Sequence, residues 1–206
     1  MKVLLFGSTG GIGSAIKESC KDFELICPTR LECDLSKSIN TNYVDIDAMI
    51  YCAGINNPCG YKDLSEENIK TTMQTNLFSF VSLCQQIKFN PGANIVAIGS
   101  LYATETKAER LAYTASKHAM HGVVKTLAIE MSKNKIKVNM VSPGFVLTEM
   151  TRQNNTEDRI SYLEDKIPLG MTLPEDIASM CYYLMFNESI TGQNIIIDGG
   201  YSLIGI

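Results

Sequence analysis

No stretch of this chain approaches the roughly 20 apolar residues that a membrane-spanning helix requires, so no membrane span is expected. The opening Val3-Leu-Leu-Phe6 looks briefly like a leader, but it gives way at once to a glycine-rich turn and reads as a strand. Lysine and arginine form no stripe and the net charge is −4, which argues against a nucleic-acid surface. No pair among the 7 cysteines is spaced Cys-x-x-Cys, which removes the commonest zinc and redox patterns. Several thiols (Cys27, Cys52, Cys84) sit inside apolar runs as small core residues, so a reducing, cytoplasmic setting is expected. Only 2 histidines occur, His118 and His121, with no further ligands at matching spacing, and no metal site is expected. Repeats, low-complexity tracts and linkers are also missing, so residues 1–206 read as one domain.

What remains is the composition of an ordinary globular protein, 45% hydrophobic and 19% charged. Short apolar runs alternate with longer helical patterns, the mark of an α/β fold with a doubly wound parallel sheet. Strands are expected at Val3–Phe6, Glu24–Cys27, Ala48–Cys52, Asn94–Ile98, Lys137–Val141 and Asn194–Ile197. Ile69, Met73, Leu77, Val81, Cys84 and Ile87 recur every three or four residues and predict a helix over Ser65–Lys88. A second helix is expected over Leu111–Lys133, and Thr172 with Glu175 predicts a capping box for a third that runs to about Asn187. Arg30 and the segment Cys33-Asp34-Leu35 nearly adjoin. A parallel strand needs a crossover of about a dozen residues or more, so the sheet edge after the second strand is expected to be reduced.

Two patterns carry chemistry. The first strand runs into Gly7-Ser8-Thr9-Gly-Gly11-Ile12-Gly13 and then a helix. Glycines there permit positive φ and close backbone approach, and the helix N-terminus offers free N–H groups to a pyrophosphate. The second pattern is Tyr113-Thr-Ala-Ser-Lys117, with Ser100 upstream at the end of an apolar run. Residues four apart share a helix face, and an ammonium beside a phenol is expected to draw its pKa down from about 10. Tyr113 is therefore a candidate proton donor and acceptor.

With these motifs in this order, the chain resembles the short-chain dehydrogenase/reductase family along essentially its full length. Ala53-Gly54, Asn76, Pro143-Gly144 through Thr148, and the ending Ile197-Asp-Gly-Gly200 agree, the last resembling 3-oxoacyl-carrier-protein reductases. The resemblance implies a Rossmann-type fold in shortened form and an oxidoreductase that interconverts a carbonyl and an alcohol. It also assigns roles: Tyr113 passes the proton, Lys117 lowers its pKa and holds the nicotinamide ribose, and Ser100 steadies the developing alkoxide. Asn76 would sit at a helix kink and hold a water on a proton path. Gly7, Ser8, Thr9, Gly11, Ile12, Gly13, Thr29, Arg30, Asp34, Leu35, Cys52, Ala53 and Gly54 would line the dinucleotide. Pro143, Gly144, Val146 and Thr148 would wall the nicotinamide. Phe6, Tyr51 and Cys52 depart from the family's usual threonine and asparagines, so local support for the pocket is expected to differ.

The tip of the second strand, Pro28-Thr29-Arg30, has no acid and does have a guanidinium suited to a phosphate, which favours NADP(H) over NAD(H). Glu32 lies nearby, and a plain surface arginine is the alternative. A 3-oxoacyl thioester ketone is the favoured substrate; a sugar or nucleotide-sugar ketone and a non-enzymatic dinucleotide sensor are the alternatives. The segment Glu149–Met171 is expected to cover the substrate. Apolar residues on more than one face of Leu111–Lys133 and Thr172–Asn187 point to a homodimer or homotetramer.

Overall fold

A computed structural model describes residues 1–204 of the chain. Six strands form one parallel sheet: β1 (Lys2–Phe6), β2 (Glu24–Ile26), β3 (Ile46–Tyr51), β4 (Phe89–Ile98), β5 (Lys137–Pro143) and β6 (Asn194–Ile197). Their order is β2-β1-β3-β4-β5-β6. Side chains alternate between the two faces, and both faces are covered, so the central strands read as unbroken apolar runs. Leu4, Phe6, Met49 and Tyr51 join one core with Leu77, Phe80, Met120 and Val124. Val3, Leu5, Ala48 and Ile50 join the other with Ile16, Ile177, Cys181 and Leu184. Each fully buried aliphatic or aromatic side chain stabilises the fold by about 1.5–3 kcal/mol.

The first core lies beneath α2 (Glu66–Met73), α3 (Ser79–Gln86) and α4 (Leu111–Glu130), and the second beneath α1 (Gly11–Ser19) and α7 (Pro174–Phe186). Ser65 opens α2, its Oγ accepting from the Asn68 N–H at 3.1 Å, and Glu66 and Glu67 complement the positive helix end. The expected helix over Ser65–Lys88 is interrupted by a π-helical turn at Gln74–Phe78. The α7 helix begins one residue later than the proposed capping box. Its cap is Leu173, whose N–H donates to Asp176 Oδ2 at 2.9 Å, while the Thr172 hydroxyl turns to the Ile197 carbonyl.

The edge is reduced as expected. Residues 27–45 contain no strand or helix, and they cross from the β2 edge over β1 to reach β3. Cys33, Leu35, Ile39 and Tyr43 of this strap pack on the first core in place of a helix. Gln86 of α3 pins it, accepting from the Thr41 N–H at 2.9 Å and donating to the Ile39 carbonyl at 2.9 Å. Among the described residues no helix is long and apolar enough to cross a membrane.

Candidate active site

Gly7 has φ of +81°, and a Cβ there would lie 2.6 Å from the Ala53 nitrogen. A Cβ on Gly13 would lie 2.0 Å from the Gly7 oxygen, and one on Gly11 2.7 Å from Thr148 Cγ2. Only glycine lets β1, α1 and the β3 end meet this closely. Gly10 caps α1 without a side-chain hydrogen bond, leaving the helix N-terminus open to an anion.

This turn stands between two adjoining cavities of about 570 and 230 Å³, which share Gly10, Cys52, Ala53, Gly54 and Met150. The larger is lined by Gly7, Ser8, Thr9, Thr29, Arg30, Asp34 and Leu35. The smaller is lined by Gly11, Ile12, Gly13, Ser100, Tyr113, Lys117, Pro143, Gly144, Val146 and Thr148. Every residue expected to hold the dinucleotide therefore faces one cavity or both. An extended ligand with a central pyrophosphate fits: the glycine cradle excludes a Cβ, and a bare helix end faces its middle.

Asn76 faces neither cavity. It is fully buried in the π-helical turn, where its Oδ1 accepts from the Ile55 N–H at 2.8 Å. Its Nδ2 donates to the Ile55 carbonyl and to Ser116 Oγ, both at 3.0 Å. Both amide hydrogens are thus committed, leaving one oxygen lone pair for a water. Ser116 Oγ in turn donates to the Tyr113 carbonyl at 2.7 Å. Asn76 ties the Gly54–Ile55 floor to the turn of α4 that bears Tyr113 and Lys117.

Lys117 is 3% exposed and donates from Nζ to the Ile98 carbonyl at 2.7 Å. Burial pulls its pKa down to about 8, against an opposing pull from Cys52. Burial likewise pushes the Tyr113 phenol up to about 12, with the neighbouring Ser100 hydroxyl drawing it partly back. This corrects the expectation that Lys117 lowers the phenol. The cation that acts on Tyr113 is Arg110, three residues earlier, and desolvation outweighs it.

The remaining residues of the site have local partners. Thr148 caps α5 (Glu149–Gln153), its Oγ1 accepting from the Thr151 N–H, while its methyl abuts Gly11. Arg30 is largely exposed and pairs with Asp34 at 3.5 Å; Thr29 donates from both N and Oγ1 to Glu32 Oε2, at 2.8 and 2.9 Å. Hydrogen bonds from Ser36 hold the Asp34 carboxyl down to about 2. In place of the family's asparagine, the Tyr51 hydroxyl donates to the Thr75 carbonyl and bonds Ser79 Oγ, anchoring β3 to the π-helical turn. Leu163 and Ile167, expected near substrate, instead form a small core with Ile160 and Met171 under α6 (Glu157–Lys166).

A third cavity of about 100 Å³ opens beyond Ser100 and Tyr113, lined also by Asn56, Tyr102, Lys107, Arg110, Phe145, Asn154 and Asn155. Asn56, Lys107 and Arg110 escaped the sequence reading; the one available signal was that Arg110 precedes Tyr113 by a helical turn.

Residues 33–202 match the Enoyl-(Acyl carrier protein) reductase family model. Carbonyl reductase family member 4 of Xenopus laevis is 30% identical over 232 residues, covering 97% of each chain. That alignment is longer than this 206-residue chain, so the relative has segments missing here. The 3-oxoacyl-[acyl-carrier-protein] reductase of Bos taurus is 31% identical over 84% of this chain and 77% of its own. Among solved structures, 4-hydroxyisoleucine dehydrogenase complexed with NADH matches with a TM-score of 0.84 at 27% identity, covering 98% of this chain and 99% of that one. A small-chain dehydrogenase in complex with NADPH shares the fold, with a TM-score of 0.84 at 24% identity over 98% of this chain and 99% of that one. The topology, the order of site residues and these full-length likenesses agree: the chain belongs to the short-chain dehydrogenase/reductase family, oxidoreductases that interconvert CH–OH and C=O groups with a nicotinamide dinucleotide.

Proposed function

We propose that the chain reduces the ketone of a 3-oxoacyl thioester-type substrate with NADP(H), Tyr113 supplying the proton. One observation carries this reading: Ser100 and Tyr113 line both the 230 Å³ cavity and the 100 Å³ cavity beyond it. A carbonyl entering from the smaller cavity meets the dinucleotide side at those two hydroxyls. When bound, the reduced nicotinamide supplies the hydride to the carbonyl carbon. Tyr113 keeps its proton at neutral pH, since burial raises its pKa to about 12, and so is poised to give it to the carbonyl oxygen. Ser100 donates to that oxygen as charge builds. Lys117 holds the ribose, and Asn76 keeps the Gly54–Ile55 floor and α4 in register.

The thioester class draws on the names of the relatives, and NADP(H) on Arg30 at the end of the larger cavity. A sugar ketone is the second reading, favoured by Asn56, Asn154 and Asn155 in the cavity wall. Purified protein tested with NADPH against acetoacetyl thioesters, diketones and keto-sugars decides between them. Faster turnover of a thioester supports the first reading, and a preference for keto-sugars overturns it.

Assembly as a homodimer or homotetramer completes the proposal. Met120, Val124, Ala128, Ile177, Cys181 and Leu184 turn inward, but Leu111 and Ile129 of α4 and Tyr183 and Phe186 of α7 stay exposed. Such a face suits an isologous contact. The 7 cysteines are free thiols, which suits a cytoplasmic setting.

A further inference from the structure

Arg110 is 7% exposed, yet among the described residues no carboxylate pairs with it. Its guanidinium donates from Nη1 to the Glu109 carbonyl at 3.3 Å. Among the described residues no ion pair involves Arg110, Lys107 or Arg159. A guanidinium taken out of water without a counter-charge is costly, and folds rarely bear that cost without a use. Arg110 and Lys107 both line the 100 Å³ cavity, facing Ser100 and Tyr113. Lys107 Nζ also stands 5.9 Å from the Phe145 ring centroid, on the same wall. Burial, then Arg110 and Arg159, push the Lys107 pKa down, as expected where cations crowd with too little negative charge between them. Glu109 offsets this only in part.

We infer that Lys107 and Arg110 form an anion-recognition pair, and that the site also reduces oxo acids whose free carboxylate lies close to the reacting ketone. The inference rests on the reading of Tyr113 as proton donor to a ketone, and it adds a second substrate class to it. Planar guanidinium geometry matches a carboxylate through two parallel hydrogen bonds, which a neutral ester or thioester cannot repay in charge. The cavity has room for only a few heavy atoms beyond the carbonyl, so one or two carbons separate ketone and carboxylate. A 3-oxo acid has that form. The carboxylate is unchanged by the reaction: the hydride goes to the ketone carbon, the Tyr113 proton to its oxygen, and a hydroxy acid leaves.

Acetoacetate and its methyl ester differ by that one charge and test the pair. With NADPH, the parent is expected to favour the acid over the ester by about tenfold or more in kcat/KM. Lys107→Met and Arg110→Lys should each pull that ratio towards one. Lys107 lies nearer solvent than Arg110, so its variant keeps the test open where substitution of buried Arg110 disturbs folding. A parent ratio at or below one, or an unchanged ratio in both variants, overturns the inference. Calorimetric titration of the same two compounds separates it from the reductase reading. Acid binding that exceeds ester binding and weakens in Lys107→Met, with neither compound reduced, upholds the anion site and sinks the reductase reading. No acid binding sinks the anion site.

Discussion

Lys117 Nζ lies 2.7 Å from the Ile98 carbonyl oxygen and 5.6 Å from the centroid of the Tyr113 ring. The lysine is therefore fastened to the end of β4 and lies against the phenol's face. Fixing the ammonium there orders the wall shared by tyrosine, lysine and Ser100, but it also buries the charge.

That burial gives a pH signature. The folded-state pKa of Lys117 is about 8, below its ordinary 10.5. Between these values the unfolded chain binds more protons, so this residue's contribution makes stability rise with pH. Relative to Lys117→Met, the ligand-free parent should gain about 3 kcal/mol as pH goes from below 8 to above 10.5. Urea unfolding of both proteins across that range measures it. A difference that stays flat, or falls, contradicts the buried-ammonium account.

Asn76 makes a structural prediction. Asn76→Ala leaves the Ile55 N–H and C=O and the Ser116 hydroxyl without this partner. Each stranded buried polar group costs about 1–3 kcal/mol, so a loss of roughly 2–5 kcal/mol is expected by denaturant unfolding. Dinucleotide affinity should fall too, because Gly54 and Ile55 line the larger cavity. A variant as stable as the parent would remove Asn76 from this positioning role.

Arg30 should choose between cofactors. The Arg30→Ala variant is expected to weaken NADPH by about tenfold, a modest figure because the side chain is 81% exposed and already pairs with Asp34. NADH binding should change little. Equal losses in parallel fluorescence titrations would detach Arg30 from the 2′-phosphate.

Much of this was legible in the chain because local rules and the fold agree. Buried parallel strands demand unbroken apolar runs, so Val3–Phe6 and Asn94–Ile98 announced themselves. The glycine turn is legible because Gly7 and Gly13 leave no space for a Cβ. The missing crossover after Arg30 predicted the reduced edge by length alone. Long-range contacts decided the rest. The π-helical turn goes with an amide bonded to Ile55, 21 residues earlier. Helical spacing put Lys117 beside Tyr113, but the phenol's pKa follows from desolvation, which spacing does not report. Arg110 is an ordinary helix-start arginine in sequence, and only folding buries it beside the reacting groups.

Tyr113→Phe tests the central claim most directly, because it removes one hydroxyl and keeps the ring that packs edge-on to Tyr102 at 6.0 Å. Steady-state reduction of an acetoacetyl thioester with NADPH is the measurement, alongside titration of NADPH binding. The account predicts that kcat falls by about two to four orders of magnitude, the usual worth of a positioned acid, while cofactor affinity stays close to the parent's. Undiminished turnover in this variant would contradict it.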